Sequence, residues 1–161
     1  MNLAHLLARI AHMDPDRPAI FEGTRCVATY GQWQDRAARI AATLRAAGLV
    51  PGDRVALFLR NHPRYLELML GAWWAGLVVV PVNAKLHVRE TEWILDNAGA
   101  RWVFVTADVA PGPLAGPERQ IDVDSAACDA LLAADPAPLT ERAADDTAWL
   151  FYTSGTTGRP K

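Results

Sequence analysis

Residues 55–82 read VALFLRNHPRYLELMLGAWWAGLVVVPV, and the spacing of their apolar runs indicates the fold class. The uninterrupted apolar run from Val55 to Leu59 is typical of a strand that is covered on both faces. Pro63 suits the first turn of a helix, and Gly76 stands where that helix should end. The run from Leu77 to Val82 predicts a second buried strand. The stretch therefore predicts a strand, a helix and a parallel strand.

The helix inside this stretch carries an apolar stripe at helical spacing. The stripe consists of Leu66, Met69, Leu70, Trp73 and Trp74. Its tryptophan pair could serve as a ligand platform, but this spacing favours packing in the core. The uncharged run from Leu68 to Val82 is shorter than the roughly 20 residues that a membrane span needs. We therefore expect no transmembrane segment here.

The flanking sequence continues the alternation of strands and helices. A hairpin is predicted over 19–30 and a helix over 31–47. Downstream, a helix is predicted over 88–98, with its apolar face inward, and a strand over 102–105. We therefore predict an α/β fold, a mostly parallel sheet with packed helices, whose β/α core occupies residues 1–106.

The bulk composition excludes several classes of protein. The chain has 161 residues and a net charge of −2, which gives no electrostatic footprint for nucleic acid. Its N-terminal stretch is interrupted by His5 and Arg9, and it predicts an amphipathic helix rather than a signal peptide. Cys26 and Cys128 have neither metal-site nor disulfide spacing, so we expect both to be buried or half-buried. A reduced, cytoplasmic location fits these features.

Residues beyond Thr106 give a weaker signal. Residues 107–146 are predicted to be a loop-rich connector that includes a short strand over 120–123 and a short helix over 125–133. The Ala/Pro/Asp stretch over 134–146 is expected to be exposed. A strand over 147–152 then leads into the last segment of the chain.

That last segment, Thr153-Ser154-Gly155-Thr156-Thr157-Gly158-Arg159-Pro160-Lys161, has the composition of a phosphate-binding loop. Glycines allow backbone N–H groups to approach an anion closely, hydroxyl groups add donors, and Lys161 adds a positive charge. The segment is not a Walker A loop, because Gly155 and Gly158 are too close together and no Ser or Thr follows Lys161. The alternative interpretation is an ordinary Ser/Thr/Gly surface turn.

The order Leu150-x-x-Thr153-Ser154-Gly155-Thr156-Thr157-Gly158-x-Pro160-Lys161 resembles the signature phosphate loop of the adenylate-forming superfamily. Thr29-Tyr30 before a helix, and the stretches over 48–55 and 70–83, are similar to further motifs of that family. Pro81-Val82-Asn83-Ala84-Lys85-Leu86 is more similar to the acyl-CoA synthetase branch than to peptide synthetases. The resemblance covers essentially the whole chain and implies an incomplete N-terminal AMP-binding domain, with residues 147–161 as its strand and phosphate loop.

The resemblance implies a two-step reaction. A carboxylic acid reacts with ATP to give an acyl-adenylate and pyrophosphate, and coenzyme A then forms a thioester, with Mg²⁺ sharing the phosphate charge. The implied phosphate-binding residues are Thr153, Ser154, Gly155, Thr156, Thr157, Gly158 and Lys161. The family's catalytic lysine and C-terminal domain have no counterpart here, so we assign this chain no catalytic residue and no metal ligand and expect it to be inactive alone.

Several alternatives remain open. The chain could be a non-catalytic module that binds a nucleotide or a partner, a part of a peptide synthetase adenylation domain, or the product of a truncated reading frame. The four histidines, His5, His12, His62 and His87, are expected at the surface or at helix caps. Glu67, Glu90 and Glu92 are expected on solvated helix faces.

Overall fold

The elements follow the predicted alternation in a computed structural model of the protein, which describes residues 1–153. The first elements are helix α1 (Ala4–Met13), strands β1 (Pro18–Glu22) and β2 (Arg25–Thr29), and helix α2 (Tyr30–Ala46). Next come strand β3 (Arg54–Phe58), helix α3 (Pro63–Trp74), strand β4 (Val78–Pro81), helix α4 (Val88–Ala98) and strand β5 (Ala100–Val105). Strand β6 (Arg119–Asp122), helix α5 (Ala126–Asp129) and a 3₁₀ turn (Ala130–Leu132) follow.

The strands after the hairpin form one parallel sheet in the order β4–β3–β5–β6. Because β4 and β5 lie on opposite sides of β3, right-handed crossovers place α3 and α4 on opposite faces of the sheet. One buried cluster joins α1, α2 and α3 to one face, and a second joins α4 to the other. The α/β prediction is confirmed, and the uncharged run over 68–82 divides into the end of α3 and the whole of β4.

Helices α2 and α3 pack closely against each other. Gly71 lies where a Cβ atom would come within 2.6 Å of Ile40 Cγ2 and 2.8 Å of Ile40 Cβ. A glycine therefore allows the two backbones to approach, and any larger residue would force them apart.

Side-chain caps fix where the helices begin. The Thr29 hydroxyl accepts from the Gln32 backbone N–H while the Gln32 side chain accepts from the Thr29 N–H, which completes a capping box. His62 and His87 cap α3 and α4, and each accepts through Nδ1 from the backbone N–H two residues on, at 3.1 Å and 3.2 Å. The predicted cap role of these two histidines is confirmed.

The expectation that Glu67 lies on a solvated face is wrong. Its side chain is only 2% exposed, and it accepts from Arg36 Nη1 at 2.6 Å and from Arg64 Nη1 at 3.0 Å. Arg64 also pairs with Asp129 at 2.6 Å, which ties α3 to α5. Glu67 is buried because α2 packs over α3 and supplies a cation at the contact. Glu90, by contrast, is exposed in the capping box of α4, and Glu92 is half-buried.

The expectation of an exposed stretch over 134–146 is only partly correct. The Trp74 Nε1–H donates to the Ala137 carbonyl at 2.8 Å, and the Thr140 N–H donates to the Trp74 carbonyl at 2.9 Å. Leu139 packs on the core cluster. The stretch lies along α2 and α3 because the Trp74 indole and the end of α3 offer polar groups that need partners.

The two cysteines differ in environment. Cys128 is buried, as predicted, and burial raises the pKa of its thiol to about 11. Cys26 is exposed, against the prediction, because β2 belongs to a two-stranded hairpin that is covered on one side only. Among residues 1–153, none of the helices combines the length and apolar character needed to cross a bilayer.

Candidate functional site

The predicted phosphate-binding residues fall at the end of the described chain. Thr153 is described and is exposed. The remaining residues of the prediction, Ser154, Gly155, Thr156, Thr157, Gly158 and Lys161, lie outside the described residues. The structure therefore shows how residues 147–153, which lead into the predicted phosphate loop, are held.

The leading segment, residues 147–153, lies along the outer edge of β4. The Val79 N–H donates to the Ala148 carbonyl and the Leu150 N–H donates to the Val79 carbonyl, each at 3.0 Å, which makes one parallel bridge between Val79 and Trp149. The predicted strand over 147–152 is thus reduced to a single bridge. The next donor on that edge of β4 would be residue 81, which is a proline and has no N–H.

Side chains hold the leading segment on both faces of the sheet. On one face the Trp73 Nε1–H donates to the Ala148 carbonyl at 3.0 Å, and the Trp73 and Trp149 ring centroids lie 4.7 Å apart. On the other face the Tyr152 hydroxyl donates to Asn97 Oδ1 at 2.7 Å, and the Tyr152 ring meets Trp93 edge-on at 6.0 Å.

Burial against α4 raises the pKa of the Tyr152 hydroxyl, so it remains a neutral donor at physiological pH. The contact between Tyr152 and Asn97 could not be predicted from the sequence pattern. Tyr152 falls at a variable position of the loop pattern, and its partner lies in a distant helix. The chain is therefore fixed immediately before Thr153.

The carboxyl edge of the sheet carries polar side chains after β3 and β5. The strand order reverses between β3 and β5, and ligands of open α/β sheets bind in the crevice outside such a point. There the Arg60 N–H donates to the Thr106 hydroxyl at 3.4 Å, and the Arg60 guanidinium pairs with Asp108. Hydrogen bonds from Thr106 and Arg60 hold the pKa of Asp108 below its usual value.

An open depression on the same edge is lined by Arg60, Asn61, Asn83 and Lys85. It combines amide groups with cationic side chains, which suits a polar or anionic ligand. His62 is committed to its cap and to Asp124 Oδ1 at 3.2 Å. Within residues 1–153 no cluster of three or more His, Cys, Asp or Glu side chains could hold a metal ion.

Comparisons with known proteins cover nearly the whole chain. A family model described as AMP-binding enzyme matches residues 7–161. A feruloyl-CoA synthase of an Amycolatopsis species is 41% identical over 156 residues, which are 95% of this chain and 31% of that protein. The long-chain-fatty-acid–CoA ligase FadD13 of Mycobacterium tuberculosis (strain ATCC 25618 / H37Rv) is 35% identical over 170 residues, covering 99% of this chain and 34% of that one.

The fold also matches solved structures. A crystal structure described as the inhibitor-bound N-terminal domain of FACL13 from Mycobacterium tuberculosis has a TM-score of 0.87 at 34% identity. The match covers 99% of this chain and 43% of that chain. By these measures the chain spans 31–34% of the length of the two curated relatives named above.

Proposed function

Since the chain belongs to the AMP-binding enzyme family, we propose that it forms the first part of the adenylate-forming domain of an acyl-CoA synthetase. The enzyme joins a carboxylic acid to ATP, releases pyrophosphate, and transfers the acyl group to coenzyme A. The observation that carries the proposal is a family match that continues through residues 150–161, where the phosphate-loop pattern lies.

The donor set of the loop fits a polyphosphate. Hydroxyl groups, backbone amides near glycines and one ammonium group occur together, and residues 153–161 include no carboxylate. The proposed phosphate-binding residues are Thr153, Ser154, Gly155, Thr156, Thr157, Gly158 and Lys161. When bound, Mg²⁺ supplies charge neutralisation at the phosphate oxygens. The loop's donors hold the phosphates in line and stabilise the charge that develops on the departing pyrophosphate.

The anchored leading segment supports this role. Catalysis by positioned donors requires that they be held before the substrate arrives. Trp73 and Asn97 clamp residues 148–152 from the two faces of the sheet, so the loop starts from a fixed point. The reaction needs further groups for the adenine, the acid and coenzyme A, and we place these in the part of the longer protein that follows.

The acid is an aromatic or fatty carboxylic acid, since the relatives named above include a feruloyl-CoA synthase and a long-chain-fatty-acid–CoA ligase. The stretch over 81–86 favours coenzyme A over a peptide synthetase carrier as acceptor. Incubating the longer protein and its acyl-adenylate with coenzyme A or with a carrier protein distinguishes an acyl-CoA synthetase from a peptide synthetase. We expect a thioester to form with coenzyme A.

Exchange of labelled pyrophosphate into ATP tests the proposal. We expect the longer protein from this gene to catalyse acid-dependent exchange with at least one acid of an aromatic and fatty panel, and the 161-residue chain to show none. Replacing Thr156 by Val should lower exchange by about 10²–10³, the usual effect of losing one donor to a developing anion. Thr147→Val is the matched control, because Thr147 is exposed and precedes the loop.

Two results would contradict the proposal. One is an absence of exchange with every acid by a folded longer protein. The other is an equal loss in the Thr147 and Thr156 variants. Micromolar binding of ATP with Mg²⁺ by the 161-residue chain, without exchange in the longer protein, would instead indicate a non-catalytic nucleotide-binding module.

A further inference from the structure

An apolar groove lies between the three helices of one face of the sheet and the leading segment. Its walls include Leu6 and Ile10 from α1, Trp33 from α2, Trp73 from α3 and Trp149 from residues 147–153. Leu6 is 51% exposed there, so the groove is open to solvent on the α1 side.

The groove offers a partner almost nothing but hydrocarbon and ring faces. Trp33 Nε1–H donates to the Leu66 carbonyl at 3.2 Å, and Trp73 Nε1–H donates to the Ala148 carbonyl at 3.0 Å. Both of these indole donors are therefore already used within the chain. Covering the hydrocarbon groups and ring faces of this groove releases water, which favours an apolar occupant.

The apolar surface continues to the end of the described chain. The ring centroids of Trp73 and Trp149 lie 4.7 Å apart, and those of Trp149 and Phe151 lie 5.1 Å apart. Trp149 and Phe151 are both exposed. The row of rings thus extends from Trp73 in the groove to Phe151, close to the last described residue, Thr153.

A solved domain shows how much further polypeptide a complete domain of this kind contains. This chain covers 43% of the FACL13 N-terminal domain, so more than half of a domain of this kind is additional chain. The depression at the carboxyl edge of the sheet is lined by Arg60, Asn61, Asn83 and Lys85 and suits a polar ligand. The apolar groove, by contrast, suits an apolar part of that additional chain.

We infer that the groove between α1 and Trp149 is a docking surface for an apolar segment of the polypeptide that follows residue 161 in the longer protein. The segment completes the hydrophobic core on that face of the sheet. The inference rests on family membership and on the groove's chemistry, and it holds whichever acid the enzyme activates.

Cysteine labelling at Leu6 tests the inference. Leu6→Cys is placed in a Cys26→Ser background, because Cys26 is exposed. Cys128 can remain, since it is buried and its pKa is raised to about 11, which leaves little reactive thiolate. Met13→Cys is the matched control on the same helix, where Met13 is 76% exposed and outside the groove. Each variant is made in the 161-residue chain and in the longer protein.

We expect the Leu6 probe to react with a maleimide more than about tenfold slower in the longer protein than in the 161-residue chain, and the Met13 probe to react equally in both, since only covered sites gain protection. Equal rates for the Leu6 probe in the two proteins would overturn the inference. So would a reading frame that stops at Lys161. Protection already present in the 161-residue chain that rises with its concentration would assign the groove to a second copy. Protection that appears only after a fatty acid is added would assign it to a lipid.

Discussion

Replacing Glu67 by Gln should destabilise the fold by about 2–3 kcal/mol. The Glu67 carboxylate is 2% exposed and accepts from Arg36 at 2.6 Å and Arg64 at 3.0 Å. Breaking a buried ion pair by removing one partner costs roughly 3–5 kcal/mol. We place the effect below this range because the two arginine side chains are 32% and 22% exposed and keep part of their hydration.

Urea denaturation followed by far-ultraviolet circular dichroism measures the loss in the free energy of unfolding. Glu141→Gln is the matched control, since that carboxylate is 81% exposed beside His5 and should change stability by less than about 0.5 kcal/mol. If Glu67→Gln and Glu141→Gln change the free energy of unfolding equally, the buried pairing is not a stabilising feature and the reasoning fails.

Three further predictions concern helix packing, capping and pH. Gly71→Ala should cost about 1–2 kcal/mol by urea denaturation because its new methyl group overlaps α2, whereas Gly112→Ala, with open space around it, should be neutral; equal effects would refute the packing argument. His62→Ala should cost about 1 kcal/mol through loss of the α3 cap, and His62→Asn should restore most of it; an asparagine variant no better than alanine would argue against the cap. The hydrogen bond from Arg101 lowers the pKa of Glu118, so the stabilisation is present above the unfolded-state pKa and lost as pH falls through the folded value. The difference in urea midpoint between the natural chain and Arg101→Gln should therefore shrink from pH 7 to pH 3, and a constant difference would contradict the pairing.

The parallel sheet could be predicted because its strands are buried on both faces. Val55 to Leu59 lies between Arg54 and Arg60, and Leu77 to Val82 lies between Gly76 and Asn83; neither run contains a charged residue. When helices with apolar stripes separate such runs, the runs form a parallel sheet that the helices cover on both faces. The phosphate loop stays a prediction, which rests on the residue types of one consecutive segment, residues 153–161.

The features that the sequence did not predict depend on contacts between distant residues. Glu67 has an unremarkable position in its helix, and its burial follows from Arg36, which lies 31 residues earlier. Tyr152 meets Asn97 across 55 residues. The strand predicted over 147–152 ends at one bridge because Pro81, on the neighbouring strand, lacks an N–H. Periodicity reports which face of an element is apolar, and it cannot report which partner that face meets.

Product analysis by mass spectrometry distinguishes an AMP-forming acyl-CoA synthetase from the alternatives. The longer protein is incubated with an acid from the panel, ATP, Mg²⁺ and coenzyme A. We expect AMP, pyrophosphate and the acyl-CoA thioester in equal amounts, and loss of all three with Thr156→Val but not with Thr147→Val. Formation of ADP and phosphate, or of AMP without any thioester, would contradict the assignment to an AMP-forming acyl-CoA synthetase.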